Sequence, residues 1–87
     1  MAANSNLEKL SGKNVLLTGG CGFIGSEITK QLSEIGSNVT IIDNFSSGKE
    51  EYVKKFSNVK IVEGDIQNSQ IVADAVKNQD YVIHLAA

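Results

Sequence analysis

The groups in this chain best placed to do chemistry are main-chain groups laid bare by glycine. Thr18-Gly19-Gly20-Cys21-Gly22-Phe23-Ile24-Gly25 holds four of the eight glycines in 87 residues. It reads as GxxGxxG through Gly19, Gly22 and Gly25, or as GxGxxG through Gly20, Gly22 and Gly25. Either spacing meets the same need. A tight turn requires backbone angles that side chains resist, and a phosphate must approach the main chain without meeting a Cβ. The last glycine lets the following helix pack closely on a sheet. The start of that helix then offers free N–H groups and a partial positive charge to a pyrophosphate. A glycine-rich turn without a ligand is the plainer alternative; a strand before the motif and a helix after it favour the dinucleotide reading.

Carboxylates come next. Asp43 follows Gly25 by eighteen positions, near the spacing of about twenty at which an acidic side chain accepts hydrogen bonds from a ribose. Its charge would repel a 2′-phosphate, which selects NAD over NADP, and the chain has no arginine to hold such a phosphate. The alternative is a solvated acid at a strand end. Asp65, after Glu63-Gly64, closes another apolar run where an adenine would lie, and a turn or capping role fits Gly64-Asp65 nearly as well. Cys21 has no partner base and reads as a small apolar loop residue. His84, the one histidine, lies in an apolar run with no nucleophile or second ligand nearby and reads as a core histidine. Zinc-ligand spacing, a Ser-His-Asp arrangement and paired carboxylates are all missing, so no metal is expected.

The apolar residues predict the frame that must hold these groups. Asn14-Val15-Leu16-Leu17-Thr18 is a strand ending at the glycines. From Phe23 to Ile35, the residues Ile24, Ile28, Leu32 and Ile35 mark one helical face, with Gly36 as its C-cap. Val39-Thr40-Ile41-Ile42 is a second strand closed by Asp43, and Ser47-Gly48-Lys49-Glu50 has the spacing of a capping box opening a short helix to about Phe56. Val59-Lys60-Ile61-Val62 is a third strand. Asn68 caps a helix with Ile71, Val72, Ala75 and Val76 on one side, and Tyr81-Val82-Ile83-His84-Leu85 is a fourth strand. Strands apolar throughout suit a parallel sheet covered on both faces. The fold class is therefore α/β, a Rossmann-type doubly wound parallel sheet in the order βαβαβαβ. Ligands of such sheets sit beyond the carboxyl ends of the strands where the strand order reverses, so the residues after Thr18, Ile42, Val62 and Ile83 should converge.

Composition narrows the function classes. A chain 41% hydrophobic and 21% charged, with net charge −2, carries no electrostatic footprint for nucleic acid or an anionic membrane. No apolar run approaches a membrane span. Residues 1–12 read as a polar leader without the features of a signal peptide, and residues 13–87 as one nucleotide-binding domain. One cysteine excludes an internal disulfide and fits a cytoplasmic location.

Four motifs in this order resemble the extended short-chain dehydrogenase/reductases: the glycine segment, Ile42-Asp43-Asn44-Phe45-Ser46-Ser47-Gly48, Gly64-Asp65-Ile66, and His84-Leu85-Ala86-Ala87. Within that family they are most similar to the NAD-dependent epimerase/dehydratase branch typified by UDP-glucose 4-epimerase, from about Lys13 to the last residue. The resemblance implies that Gly22, Phe23 and Ile24 line the pyrophosphate of NAD, between the turn glycines Gly19 and Gly25. It implies that Asp43, Asn44, Phe45, Ser46, Ser47 and Gly48 surround the adenosine ribose. Asp65 and Ile66 would contact the adenine, and Leu85, Ala86 and Ala87 would wall the nicotinamide half.

Family members place a Ser or Thr and a Tyr-x-x-x-Lys pair beyond this point. Neither tyrosine here matches, since Tyr52 is followed four positions later by Phe56 and Tyr81 by Leu85. The resemblance thus implies the NAD-binding N-terminal part of a nucleotide-sugar epimerase or dehydratase, inactive alone. In the parent, a sugar hydroxyl is oxidised to a keto group and re-reduced; homo-oligomerisation is left open. Two other functions fit the same residues: a stand-alone NAD-binding or sensing module, and a folding unit without a ligand.

Overall fold

Val15, Leu16 and Leu17 are consecutive and apolar, so the strand they form needs cover on both faces. The computed structural model, which describes residues 8–19, 22–44 and 50–85, supplies that cover from neighbouring strands and two helices. Its elements are β1 (Asn14–Thr18), α1 (Phe23–Glu34), β2 (Asn38–Asp43), β3 (Val59–Glu63), α2 (Ser69–Val76) and β4 (Tyr81–His84). The four strands form one parallel sheet in the order β3-β2-β1-β4. The order reverses between β1 and β4, so the crevice expected of this topology opens at their carboxyl ends.

The register sorts side chains onto two faces. Val15, Leu17, Val39, Ile41, Val59, Ile61 and Ile83 share one face, where Ile28, Leu32 and Ile35 of α1 cover them together with Val53 and Phe56. Leu10, inside the stretch expected as a leader, packs on the same core. The opposite face carries Leu16, Thr18, Thr40, Ile42, Lys60, Val62, Val82 and His84. There Ile71 and Ala75 of α2 border, with Thr40, Lys60 and Val62, an open cavity of about 430 Å³. Helices on opposite faces make the sheet doubly wound, as the alternation of elements predicts. No described helix is long and apolar enough to cross a membrane.

Three details differ from expectation. The buried face of α1 is Gly25, Thr29 and Leu32, whereas Ile24 is 69% exposed. Adjacent helical residues lie about 100° apart around the axis, so with Gly25 against the sheet Ile24 is turned away from it. Among the described residues of the connection from β2 to β3, the helix expected to run to Phe56 is replaced by a 3₁₀ turn at Glu50–Tyr52. Val53 is drawn into the core directly after that turn, and Phe56 N–H bonds the Val53 carbonyl at 3.1 Å, leaving only Ser57 and Asn58 before β3. The capping residues Ser47, Gly48 and Lys49 lie outside the described residues. Lastly, cover on both faces holds for β1 and β2 only. The edge strands β3 and β4 contain no fully buried residue.

The amino ends of the strands are tied by side chains. Asn14 and Asn38 are register partners, and Asn38 Nδ2 donates to Asn14 Oδ1 at 3.3 Å. Asn14 Nδ2 donates to the Asn78 carbonyl at 2.9 Å, and Asn14 N–H to Asp80 Oδ2 at 2.8 Å. Asn58 Nδ2 reaches the Ser37 carbonyl at 2.6 Å while its Oδ1 accepts from the Ser33 hydroxyl at 2.5 Å. At the end of α1, Gly36 takes the left-handed φ of +87° that a side chain resists. Its N–H bonds Ser33 O and that of Ser37 bonds Leu32 O, the paired closure of a Schellman motif.

Candidate functional site

At the carboxyl ends the ladder runs one residue past each strand. Leu85 N–H donates to Thr18 O at 2.9 Å, Gly19 N–H to Ile42 O at 2.8 Å, and Gly64 N–H to Asp43 O at 3.0 Å. These bonds bring the ends of all four strands into one row, with neighbours about 4.8 Å apart. Gly19, Asp43, Gly64 and Leu85 therefore converge at one edge of the sheet, as the sequence motifs require.

Gly19 has φ of +80°, the turn for which glycine is needed. Its carbonyl accepts from Gly22 N–H at 3.3 Å, which closes the loop onto α1. Gly20 and Cys21 lie outside the described residues. Gly22 is the N-cap of α1, at φ −75° and ψ 178°. That is extended backbone open to any residue, and among the described residues a Cβ there would meet only the Gly19 carbonyl, at 3.6 Å. The turn thus needs glycine at Gly19, and at Gly22 the local fold does not. What Gly22 does is withhold a cap. A side-chain oxygen normally serves the first N–H groups of a helix, which have no carbonyl within it. On α2, Asn68 Oδ1 accepts from Gln70 N–H at 3.1 Å and Ile71 N–H at 3.2 Å. On α1 no side chain caps among the described residues, and no acidic residue stands in the first turn. Gly25 is buried where α1 meets the sheet. Phe23, 87% exposed, and Ile24 stand on the open rim.

Asp43 ends β2, half-buried beside the glycine turn, and Asn44 is exposed after it. Asp65 has the turn role weighed for it: Oδ1 accepts from Gln67 N–H at 2.8 Å and its carbonyl from Asn68 N–H at 2.9 Å. Gly64 before it has a packing reason as well, since a Cβ would lie 2.7 Å from Ile71 Cδ1. Ile66 is half-buried in the turn that follows, and Leu85 is exposed just past β4. Phe45, Ser46, Ser47, Gly48, Ala86 and Ala87 lie outside the described residues.

His84 is not a core residue. It is exposed, because β4 is an edge strand and no described element covers it on the α2 face. Its Nδ1 lies 2.7 Å from Thr18 Oγ1, one group donating and the other accepting according to the tautomer. The same Thr18 oxygen accepts from Leu85 N–H at 3.3 Å. Sequence reasoning passed over this pair, and its signal was a polar residue ending each of two apolar strands. Tyr52 and Tyr81 are both exposed and neither belongs to the row. Two open cavities lie elsewhere: the one under α2, and one of about 330 Å³ bordered by Asn14, Asn38 and Asn58.

Comparison with known proteins gives a consistent picture. A model of the NAD dependent epimerase/dehydratase family matches residues 15–87. The chain is 41% identical over 76 residues to a UDP-N-acetyl-alpha-D-glucosaminuronate decarboxylase of Bacillus cytotoxicus, a match spanning 86% of this chain and 24% of that protein. Among solved structures it is similar to the epimerase Mth375 of Methanothermobacter thermautotrophicus, with a TM-score of 0.89 and 40% identity over 95% of this chain and 25% of the other. It is also similar to the Bordetella bronchiseptica enzyme WbmH in complex with NAD+, with a TM-score of 0.81 and 42% identity over 86% of this chain and 26% of the other. The chain thus spans about a quarter of the length of each of these proteins.

Proposed function

The chain belongs to the NAD-dependent epimerase/dehydratase family, and from that premise we propose that it forms the NAD-binding part of an enzyme acting on a nucleotide sugar. The observation that carries the reading is the N-terminus of α1, which follows a tight glycine turn and has no cap or acidic neighbour of its own. Its first N–H groups, with the positive end of the helix dipole, suit the pyrophosphate of a dinucleotide. The relatives support both halves of the proposal. One is solved with NAD+ and another is named for a UDP-sugar acid.

In this reading Gly19, Gly22, Phe23, Ile24 and Gly25 hold the pyrophosphate. Asp43, one strand over, accepts hydrogen bonds from the adenosine ribose, and its charge excludes a 2′-phosphate. Asn44 to Gly48 complete the ribose pocket, Asp65 and Ile66 border the adenine, and Leu85 to Ala87 wall the nicotinamide half. Bound NAD would supply the hydride acceptor for a sugar hydroxyl. The proton transfers of that chemistry need a Tyr-x-x-x-Lys pair, and these 87 residues contain none. The chain positions a cofactor and leaves the acid–base step to other residues, so purified chain is expected to turn over no nucleotide sugar.

Calorimetric titration of the chain with NAD, NADP and ADP-ribose tests the proposal. NAD and ADP-ribose should bind and NADP should bind more weakly. Asp43→Ala should weaken NAD by roughly tenfold to a hundredfold, the range for losing hydrogen bonds to a charged acceptor, and should narrow the gap to NADP. Equal or tighter NADP binding by the unmodified chain would remove Asp43 from the ribose site.

A further inference from the structure

We propose that α2 is an occupancy-sensitive element, which opens locally from the sheet when the adenine end of the site is empty and is held shut when a nucleotide fills it; the inference rests on the NAD reading above. The two helices are seated differently. α1 buries Gly25, Thr29 and Leu32, whereas none of the eight residues of α2 is buried. Val76, on the apolar side of α2, is 41% exposed. Beneath α2 lies the open cavity of about 430 Å³ bordered by Thr40, Lys60 and Val62 of the sheet, space that a closely packed helix would fill. Just past the end of α2, Gln79 Nε2 donates to the Ala75 carbonyl at 3.1 Å, but the buried Gln79 Oε1 has no partner among the described residues. A buried acceptor left unpaired costs free energy. Scarce burial, a cavity and an unpaired acceptor together give α2 a low free energy of opening.

The N-terminal end of α2 is pinned, and it is pinned beside the site. Ile71 Cδ1 packs into the space that Gly64 leaves by lacking a Cβ. Asp65 accepts from Gln67 N–H and Asn68 N–H, and Asn68 Oδ1 from Gln70 N–H and Ile71 N–H, so hydrogen bonds run without a break from the turn into the helix. Asp65 and Ile66 are the residues that border the adenine in the NAD reading. A ligand that fixes this turn therefore fixes the first turn of α2 and, through a helix about 12 Å long, its other end. Such a ligand binds the closed form more tightly than the open one, and linkage then requires that it suppress opening.

The test is residue-resolved hydrogen exchange of the unmodified chain with and without ADP-ribose, beside calorimetric titration of the same samples. In the free chain the amides of Ala73 to Val76 should exchange about tenfold or more faster than those of Ile28 to Leu32 in α1. Saturating ADP-ribose should slow the α2 amides by about fivefold or more. Asn68→Ala, which weakens the helix cap, should speed α2 exchange in the free chain, and ADP-ribose should slow it again. Its affinity for the nucleotide should not change, because the closed form still predominates. α2 amides that exchange as slowly as those of α1 would overturn the proposal, since the helix would then open only with the whole chain. So would ADP-ribose that binds in the titration yet leaves α2 exchange as it was, a result that the NAD reading would survive. Failure of the unmodified chain to bind ADP-ribose would instead overturn the NAD reading, and this proposal with it.

Discussion

At the scale of single residues, the structure separates the needs that the glycine motif leaves merged. GxxGxxG identifies Gly19, Gly22 and Gly25, yet the left-handed backbone sits at Gly19 alone, and Gly22 is extended with room for a Cβ. Spacing reports that small residues recur; it does not report which one bends the chain and which one makes way. This separation sharpens an experiment. Gly22→Val should leave the thermal midpoint of the free chain near its original value, because no backbone strain is introduced. NAD affinity should nevertheless fall, because the side chain stands where the pyrophosphate approaches. A melt that drops as far as the affinity does would show the glycine to be structural. His84 was misread for a related reason. An apolar run predicts a buried strand, but whether that strand lies at the centre or the edge of a sheet depends on elements far away in the chain.

Among elements, the four strands and the two helices were legible because each has one dominant signal: consecutive β-branched residues and leucine, or a three-to-four residue period. Their boundaries shifted by at most one residue. The face of α1 was misplaced at Ile24 because glycine, which carries no hydrophobic label, is the residue that meets the sheet. The short helix after β2 was overpredicted from a capping-box pattern, which is local, whereas burial of Val53 is tertiary. The two helix N-termini differ in kind, and the difference is measurable. Asn68→Ala should destabilise the chain by about 1 kcal/mol, as loss of an N-cap does, without altering NAD affinity. Chemical denaturation beside a titration checks both halves. Loss of NAD binding in a folded Asn68→Ala variant would extend the site to α2, contrary to its present outline.

For the molecule as a whole, the decisive feature is the sheet edge formed by β4. Tyr81 and Val82 are 46% and 54% exposed on an edge strand. Unpaired apolar edges are templates for association, and a chain of this length has a small margin of stability. In isolation it should therefore associate as its concentration rises, with NAD raising its melting temperature by selective binding to the folded form. Val82→Lys should suppress association seen in sedimentation velocity while leaving NAD affinity intact. Association that is indifferent to Val82→Lys would mean that another surface carries it. Sequence alone exposes this edge only indirectly, through the likeness to proteins about four times as long.

The amino end of the sheet also bears on how such a protein can change over generations. Its asparagine seam binds strand to strand using only the chain's own groups, through Asn14, Asn38 and Asn58. The opposite edge is joined mainly by main-chain bonds, which any sequence can make. Away from Gly19 and Gly64, substitutions at that edge can therefore alter what is recognised without loosening what holds the sheet. The same scaffold can thus serve different chemistries while the seam keeps its strands in register.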